Sequence, residues 1–127
     1  MNKLAEKIHK DNVAKGWYDE PRETGTMLML CVSELAEACE ADRKGRYANL
    51  DQFESVGQNT VSNLTAEGWF KTNFNTNIKD TFEDELADTM IRILDICAHR
   101  KIDIEKHINL KLKYNRLRAY KHGNKKY

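Results

Sequence analysis

Apolar residues recur every three to four positions in four stretches of the chain, and no stretch alternates with period two. This spacing is typical of amphipathic helices, so we predict helices over about 2–15, 25–43, 82–100 and 104–120. The first is modest, with Leu4 and Ile8 on one face. Four helices without strands predict an all-α, bundle-like fold.

Glycine, proline and short polar residues mark the expected helix boundaries. Gly16 and Gly45 are natural ends for the first two helices. Pro21 prevents the segment 17–23 from continuing a helix. The predicted N-caps, in chain order, are Thr24, then Asp80 or Thr81, and then Asp103.

The third helix has the clearest apolar stripe. Its positions i, i+4, i+8, i+11 and i+15 predict a buried face made of Phe82, Leu86, Met90, Ile93 and Cys97. The fourth helix is expected to turn three residues inward, namely Ile108, Leu112 and Leu117.

Between the second and third helices lies a long insertion, about 46–79, that is rich in Asn, Thr, Gly and Ser. A structureless loop of this length is uncommon in a compact domain, so we expect short helical turns, around 50–56. The insertion contains Trp69, Phe70 and Phe74. They either anchor it on the bundle or act as a lid that stacks on a base.

Composition indicates one soluble domain, 1–127, with a basic tail at about 119–127. Hydrophobic residues make up 40% and charged residues 32%, and the formal net charge is +1. We expect a cytoplasmic protein with reduced, buried cysteines, because the chain has three cysteines, no C-x-x-C pair and no signal-like start. No apolar run approaches the roughly 20 residues of a membrane span. Neither a membrane nor a nucleic-acid partner is expected.

Two short acidic strings are the most informative feature. Glu34–Glu37 reads Glu-Leu-Ala-Glu on the second helix, and Glu85–Asp88 reads Glu-Leu-Ala-Asp on the third. The spacing i, i+3 places both carboxylates of each string on one helix face. If the two faces meet, like charges repel, and Mg²⁺ or Mn²⁺ with oxygen ligands would relieve the repulsion. Two ordinary charged helix faces are the alternative.

The last segment carries the opposite charge, with seven Lys or Arg and no Asp or Glu over 111–127. Lys111, Asn115 and Arg118 share one face of the fourth helix. Together with a metal, such a face could hold a polyphosphate. A solvated helix end is the alternative. The phosphate loop of P-loop proteins is excluded, since its motif is absent.

Three sequence blocks resemble the MazG-type branch of the all-α nucleoside triphosphate pyrophosphohydrolases, in particular its small, phage-like members. The first block is Lys15–Arg22 with Met27–Leu30 and Ser33–Glu37, continuing through Arg43–Gly45. The second is Phe82–Asp88 with Ile91–Ile93, and the third is Lys111–Arg118 with Lys121–Gly123.

The resemblance implies a MazG-like bundle, Mg²⁺-dependent hydrolysis of a nucleoside triphosphate to a monophosphate and pyrophosphate, and homodimers or homotetramers. The implied metal ligands are Glu34, Glu37, Glu85 and Asp88. Glu34 or Glu37 would accept the proton of the attacking water. The expected substrate-binding residues are Lys111, Asn115, Arg118, Trp17 and His122. Trp17 would stack on a base, although packing on the bundle explains it equally well.

Departures from the family pattern leave alternatives open. Ser33 stands where some branches carry another Glu, so the number of metals per site is open, and positions 38–84 form an unusually long gap between the motifs. A catalytically idle helical interaction module is a rival interpretation, as is a phosphoribosyl-ATP or dUTP pyrophosphohydrolase. A nucleic-acid binder that uses the basic tail is a further rival, against which the near-neutral charge and the absence of a known reading motif count. Arg92, four residues after Asp88, could pair with a carboxylate or a phosphate of the site, but a simple structural i, i+4 ion pair is favoured.

Overall fold

The computed structural model describes residues 1–55 and 65–118, and these ranges contain helices and no strand. The all-α prediction is therefore confirmed for this part of the chain. The helices are α1 (Asn2–Ala14), α2 (Thr24–Arg43), α3 (Leu50–Ser55), α4 (Ala66–Asn77), α5 (Phe82–His99) and α6 (Ile104–Arg116). The four predicted helices correspond to α1, α2, α5 and α6. No described helix has the length and apolar character that crossing a bilayer requires.

The predicted helix ends are largely confirmed. Gly16 and Gly45 follow the ends of α1 and α2 with φ of +86° and +66°, a region that glycine enters without steric cost. Asp103 caps α6, because its side chain accepts a hydrogen bond from the Lys106 amide at 3.1 Å. The Thr24 cap is wrong: Thr24 is the first residue of α2, and Glu23 precedes it without a side-chain cap.

The fourth predicted helix is shorter than expected. It ends at Arg116, and the amides of Leu117 and Arg118 donate to carbonyls three residues back, at Tyr114 and Asn115. This tighter turn closes the helix before position 120.

The insertion contains more helix than predicted. Helix α3 matches the expected turns, but α4 was not expected; Thr65 caps it by accepting from the Gly68 amide at 3.0 Å. The ring centroid of Phe53 in α3 lies 6.3 Å from that of Trp69 and 5.9 Å from that of Phe70. Phe70 also stacks on Phe74, with 5.9 Å between their centroids. The insertion therefore has an aromatic cluster of its own.

Hydrogen bonds join the two ends of the insertion to each other and to the start of α5. The Asn49 amide donates to the Asn77 carbonyl at 2.9 Å, and the Phe82 amide donates to the Arg46 carbonyl at 2.9 Å. The Glu83 carboxylate accepts from the Ala48 amide at 2.8 Å. The first and last residues of the insertion are therefore close together in space.

The chain divides into two compact units, and the division falls within α5. The first comprises Met1–Pro21 and the chain from Leu94 onward. Asp95 is one of its buried residues, at 4% exposure. It lies 2.8 Å from His9 Nδ1 and accepts a hydrogen bond from the Tyr18 hydroxyl at 2.7 Å. This carboxylate joins α1 and the loop after it to the last turns of α5.

In the same unit, the inward orientation predicted for the fourth helix is wrong. Ile108, Leu112 and Leu117 are 36%, 51% and 79% exposed, and α6 has no buried residue. The physical reason is that the described contacts of α6 lie at its first turn, where Asp103 accepts from the Asn2 side chain and Glu105 pairs with the amino group of Met1.

The second unit, Arg22–Ile93, has most of its buried positions on α2 and α5, with Asn73 of α4 and Thr81 buried as well. Those of α2 recur at helical spacing, and they are Met27, Cys31, Glu34, Ala38 and Ala41. On α5 the buried positions within this unit are Glu85 and Thr89. Two carboxylates are thus part of the interior of this unit.

The stripe predicted for the third helix does not form the buried face. Leu86, Met90 and Ile93 are 38%, 44% and 37% exposed, Phe82 is half-buried, and Cys97 alone among the five predicted residues is buried. Helix α5 turns Glu85 inward instead, and Thr89 satisfies its hydroxyl by donating to the Glu85 carbonyl at 2.8 Å. The apolar residues consequently face outward.

The cysteines are free, as predicted, but not uniformly buried. Cys31 and Cys97 are buried, whereas Cys39 is exposed because it lies on the outer side of α2.

Candidate metal centre

Three carboxylates from the two acidic strings meet within the second unit. Glu34 and Glu37 of α2 and Glu85 of α5 each offer an oxygen, and these oxygens lie within 4.8 Å of one another. Glu34 and Glu85 are 8% and 7% exposed, while Glu37 is exposed to solvent. Two carboxylates of the group, Glu34 and Glu85, are therefore buried, and the third, Glu37, is accessible to solvent.

Helix periodicity explains this arrangement. On α2, Glu34 continues the row of buried positions that includes Cys31 and Ala38. Ala38 and Ala41 are 2% and 0% exposed, and such small side chains allow close approach at this part of the helix. Glu37 lies three residues after Glu34, on the same side and nearer to solvent.

A second acidic group shares Glu85. Asp80, Asp84 and Glu85 also bring three oxygens within 4.8 Å of one another. Asp80 adopts the left-handed conformation, with φ of 60°, and its amide donates to the Asp84 carboxylate at 3.0 Å. Glu85 thus stands between two clusters of negative charge.

Asp88, the fourth predicted ligand, lies one turn after Glu85 on α5 and is half-buried. It does not belong to either group of three. Burial raises its pKa, and so do the charges of Asp84 and Glu34, which places Asp88 in the same negative field.

Arg92 supplies a positive charge at this site. Its Nε donates to Glu34 Oε1 at 2.7 Å, across from α5 to α2. The i, i+4 pairing with Asp88 that the sequence favoured is replaced by this interhelical bond, because Glu34 turns inward toward α5. Arg92 therefore fixes one of the predicted ligands.

The pKa values of the three converging carboxyl groups are shifted differently. Burial raises the pKa of Glu85 to about 7, assisted by the charges of Glu37, Asp88 and Glu34. The hydrogen bond shared with Glu34 raises the pKa of Glu37. For Glu34 itself, burial acts to raise the pKa, but the hydrogen bonds from Arg92 and Glu37 outweigh it and the net shift is downward. Glu34 is thus the member held most firmly as a carboxylate.

The donor set fits a hard divalent cation. Each member of the group offers carboxylate oxygen, and neither His nor Cys belongs to it. Mg²⁺ binds oxygen at about 2.0–2.1 Å in octahedral geometry, so two of its ligand oxygens stand about 3–4 Å apart. Oxygens already within 4.8 Å of one another require little movement to reach that spacing. A cation would also reduce the repulsion that raises the pKa of Glu85.

The predicted substrate-binding residues that the structure describes lie in the first unit. Lys111 and Asn115 are exposed on α6, and Arg118 follows its end. Lys111 Nζ and Arg118 Cζ stand 5.0 Å and 5.7 Å from the centroid of the Tyr114 ring. Trp17 is 59% exposed in the loop after α1. His122 lies outside the described residues.

Sequence reasoning missed Asp80 and Asp84 and the role of Arg92. The signal for the two aspartates was present, since Asp80 and Asp84 are four residues apart and Asp84 adjoins Glu85. The partner of Arg92 had no local signal, because Glu34 is 58 positions away in the chain.

Comparison with known proteins adds no relative: no family model, curated protein or solved structure matches the chain.

Proposed function

We propose that the chain is a Mg²⁺-dependent nucleoside triphosphate pyrophosphohydrolase, similar to the MazG-type enzymes that its sequence blocks resemble. It would hydrolyse a nucleoside triphosphate to the monophosphate and pyrophosphate. One observation carries this proposal: Glu34, Glu37 and Glu85, which come from two distant acidic strings, converge with oxygens within 4.8 Å of one another.

Glu34, Glu37 and Glu85, with Asp88 beside them, would hold the cation. When bound, Mg²⁺ (or Mn²⁺) neutralises phosphate oxygens and the departing pyrophosphate. Glu34 suits a purely ligating role, because its carboxylate is committed to Arg92 at 2.7 Å. Glu37 suits the proton acceptor better, because it is exposed and can reach a water molecule.

The remaining roles follow from charge and exposure. Lys111 and Arg118 would bind phosphate groups, Asn115 the sugar or a phosphate oxygen, and Trp17 the base. Each of the four is exposed. The three free cysteines suit a reducing compartment such as the cytoplasm.

The outward apolar residues of the second unit support a homo-oligomer. Leu28, Val32 and Leu35 on α2 are about half exposed, at positions i, i+4 and i+7. Leu86, Met90 and Ile93 repeat this spacing on α5. Two matching apolar stripes suit association with a second copy, which would pair helix faces as in a bundle.

The test is pyrophosphate release from a panel of nucleoside triphosphates with Mg²⁺, for the wild type and for Glu37→Gln. Activity should disappear with chelator, return with Mn²⁺, and fall by at least about a hundredfold in Glu37→Gln. The matched control is Glu40→Gln, one turn along α2, whose carboxylate pairs with Lys44 at 3.1 Å. It should keep wild-type rates.

Two outcomes contradict the proposal. One is full turnover in excess chelator. The other is the absence of pyrophosphate release from every triphosphate in the panel while calorimetry shows Mn²⁺ binding, which would favour an idle interaction module.

A further inference from the structure

Helix α6 carries its cations on two roughly opposite sides. From Lys106 to Arg118 there are five Lys or Arg residues and no Asp or Glu. At about 100° per residue, Lys106, Lys113 and Arg116 fall on one side, and Lys111 falls on the other, toward Arg118. The proposed function uses the Lys111 side and leaves the first set without a role.

The unused set lines a groove. An open cavity of about 510 Å³ lies between the start of α1 and one side of α6. Its residues are Asn2, Asp103, Glu105, Lys106, Asn109, Leu110, Lys113 and Arg116. The three cations and Asn109 thus share one open surface within the first unit.

The two carboxylates of the groove are both engaged at one end of it. Asp103 accepts from the Asn2 side chain at 2.7 Å and from the Lys106 amide at 3.1 Å. Glu105 pairs with the amino group of Met1 and accepts from the Asn2 amide at 2.8 Å. The other end, around Lys113 and Arg116, has positive charge without an acidic neighbour among the lining residues.

We propose that this groove binds the phosphate backbone of a nucleic-acid duplex. The cations extend over ten residues of helix, or about 15 Å. One strand of a duplex places a phosphate about every 3.4 Å along its axis, so the row matches four or five successive phosphates. A free triphosphate is too short to reach from one end to the other.

The lining also distinguishes a duplex from a single strand. Proteins that hold single strands combine cations with aromatic side chains on which bases stack. Within residues 1–55 and 65–118, no aromatic residue lines the groove. Contacts from Lys and Arg to phosphates alone suit a duplex whose bases remain paired. The near-neutral charge of the whole chain, +1, conceals this local concentration of cations.

The experiment is fluorescence anisotropy with a labelled duplex of about 20 base pairs and its single strand, over a series of salt concentrations. The chain offers charge-matched variants: Lys113→Ala/Arg116→Ala removes one Lys and one Arg from the groove, and Lys111→Ala/Arg118→Ala removes the same pair from the other side. All four positions are exposed, and alanine favours helix, so both variants should fold; circular dichroism checks this.

We expect the wild type to bind the duplex more tightly than the single strand, with an affinity that falls as salt rises. The groove variant should lose at least about tenfold in affinity, and its salt slope should be lower by about 2. The control variant should keep the slope and affinity. Pyrophosphate release should stay at the wild-type rate in the groove variant and fall in the control variant. The failure of one proposal is therefore distinguishable from the failure of the other.

Four results would overturn the inference. Three of them are no duplex binding at about 50 mM salt, an equal loss in both variants, and single-strand binding as tight as duplex binding. The fourth is equally tight competition by inorganic tripolyphosphate, which would assign the groove to a small polyphosphate instead.

Discussion

Burial and the neighbouring carboxylates of the acidic site together raise the pKa of Glu85. Its ordinary pKa is 4.5 and its pKa in the folded protein is about 7, because it is buried between two acidic groups. Below pH 4.5 the folded and unfolded states both hold the proton. Between these values the folded protein keeps a proton that the unfolded chain has released, so the free energy of unfolding falls as the pH rises.

We therefore predict that, in chelator, the protein loses up to about 3 kcal/mol of stability between pH 4.5 and pH 7 through this residue. Glu85→Gln, which imitates the protonated carboxyl, should remove that part of the slope and be more stable than the wild type above pH 7. Urea unfolding across this pH range measures both. Parallel curves for the two proteins would show that Glu85 does not carry the effect.

Arg118 provides a second prediction at the level of one side chain. If it binds phosphate, Arg118→Ala loses about ten- to a hundredfold in kcat/KM, since hydrogen bonds to charged groups contribute roughly 1.5–3 kcal/mol. Arg118→Lys should recover part of this loss, because an ammonium lacks the planar fork of a guanidinium. Steady-state pyrophosphate release, beside a Mn²⁺ titration that should stay unchanged, makes the comparison. Wild-type kinetics in Arg118→Ala would remove Arg118 from the substrate site.

Helices α2 and α5 are connected by the bond between Glu34 and Arg92. The Glu34 side chain is 11% exposed and that of Arg92 is 36% exposed, so the bond is partly shielded from water. Loss of one partner leaves a charge with poor solvation, and we expect Arg92→Met to lower the free energy of unfolding by about 1–3 kcal/mol. Adding Glu34→Gln should restore part of this loss, and a double-mutant cycle measures the coupling. Additive effects would mean that the bond does not stabilise the helix pair.

The helices that the sequence predicted are those with local signals. Asp103 and Gly45 act on the residues beside them, and both were assigned correctly. Helix α4 has weaker signals, because Thr65 caps it but only Ala66, Phe70 and Phe74 recur at intervals of four in an otherwise polar sequence. Its described support comes from contacts with α3, such as the 2.8 Å bond from the Asn73 side chain to the Phe53 carbonyl.

Periodicity also located the acidic strings but not the orientation of their helices. On α2, Cys31 and Ala38 form one apolar row and Val32 and Leu35 form another. A sequence with two such rows does not specify which one faces the interior of its own chain. The same ambiguity explains why Glu85 of α5 is buried where Leu86 was expected to be. Which carboxylates meet depends on that rotation, so the grouping of Asp80 and Asp84 with Glu85 was missed although their spacing in the sequence signalled it.

At the scale of the whole molecule, the outward stripes predict self-association. Leu35 and Leu86 are 49% and 38% exposed, and each is the leucine of an acidic string. We expect the protein to sediment as a dimer or tetramer, and Leu35→Asp with Leu86→Asp to shift it toward the monomer, because a buried charge at an apolar contact is costly. Leu50→Asp on α3, at 55% exposure, is the control and should leave the sedimentation unchanged. A monomeric wild type at all concentrations would contradict the prediction.

The bond between Asn49 and Asn77 has a consequence for how the gene could be edited. Because the chain returns to its starting point there, positions 50–76 could be excised and the ends rejoined by a short glycine connection. Shortening a closed loop lowers the entropy cost of bringing its ends together. The shortened protein would keep both acidic strings and lose the aromatic cluster, and the same junction could accept a foreign domain in place of α3 and α4.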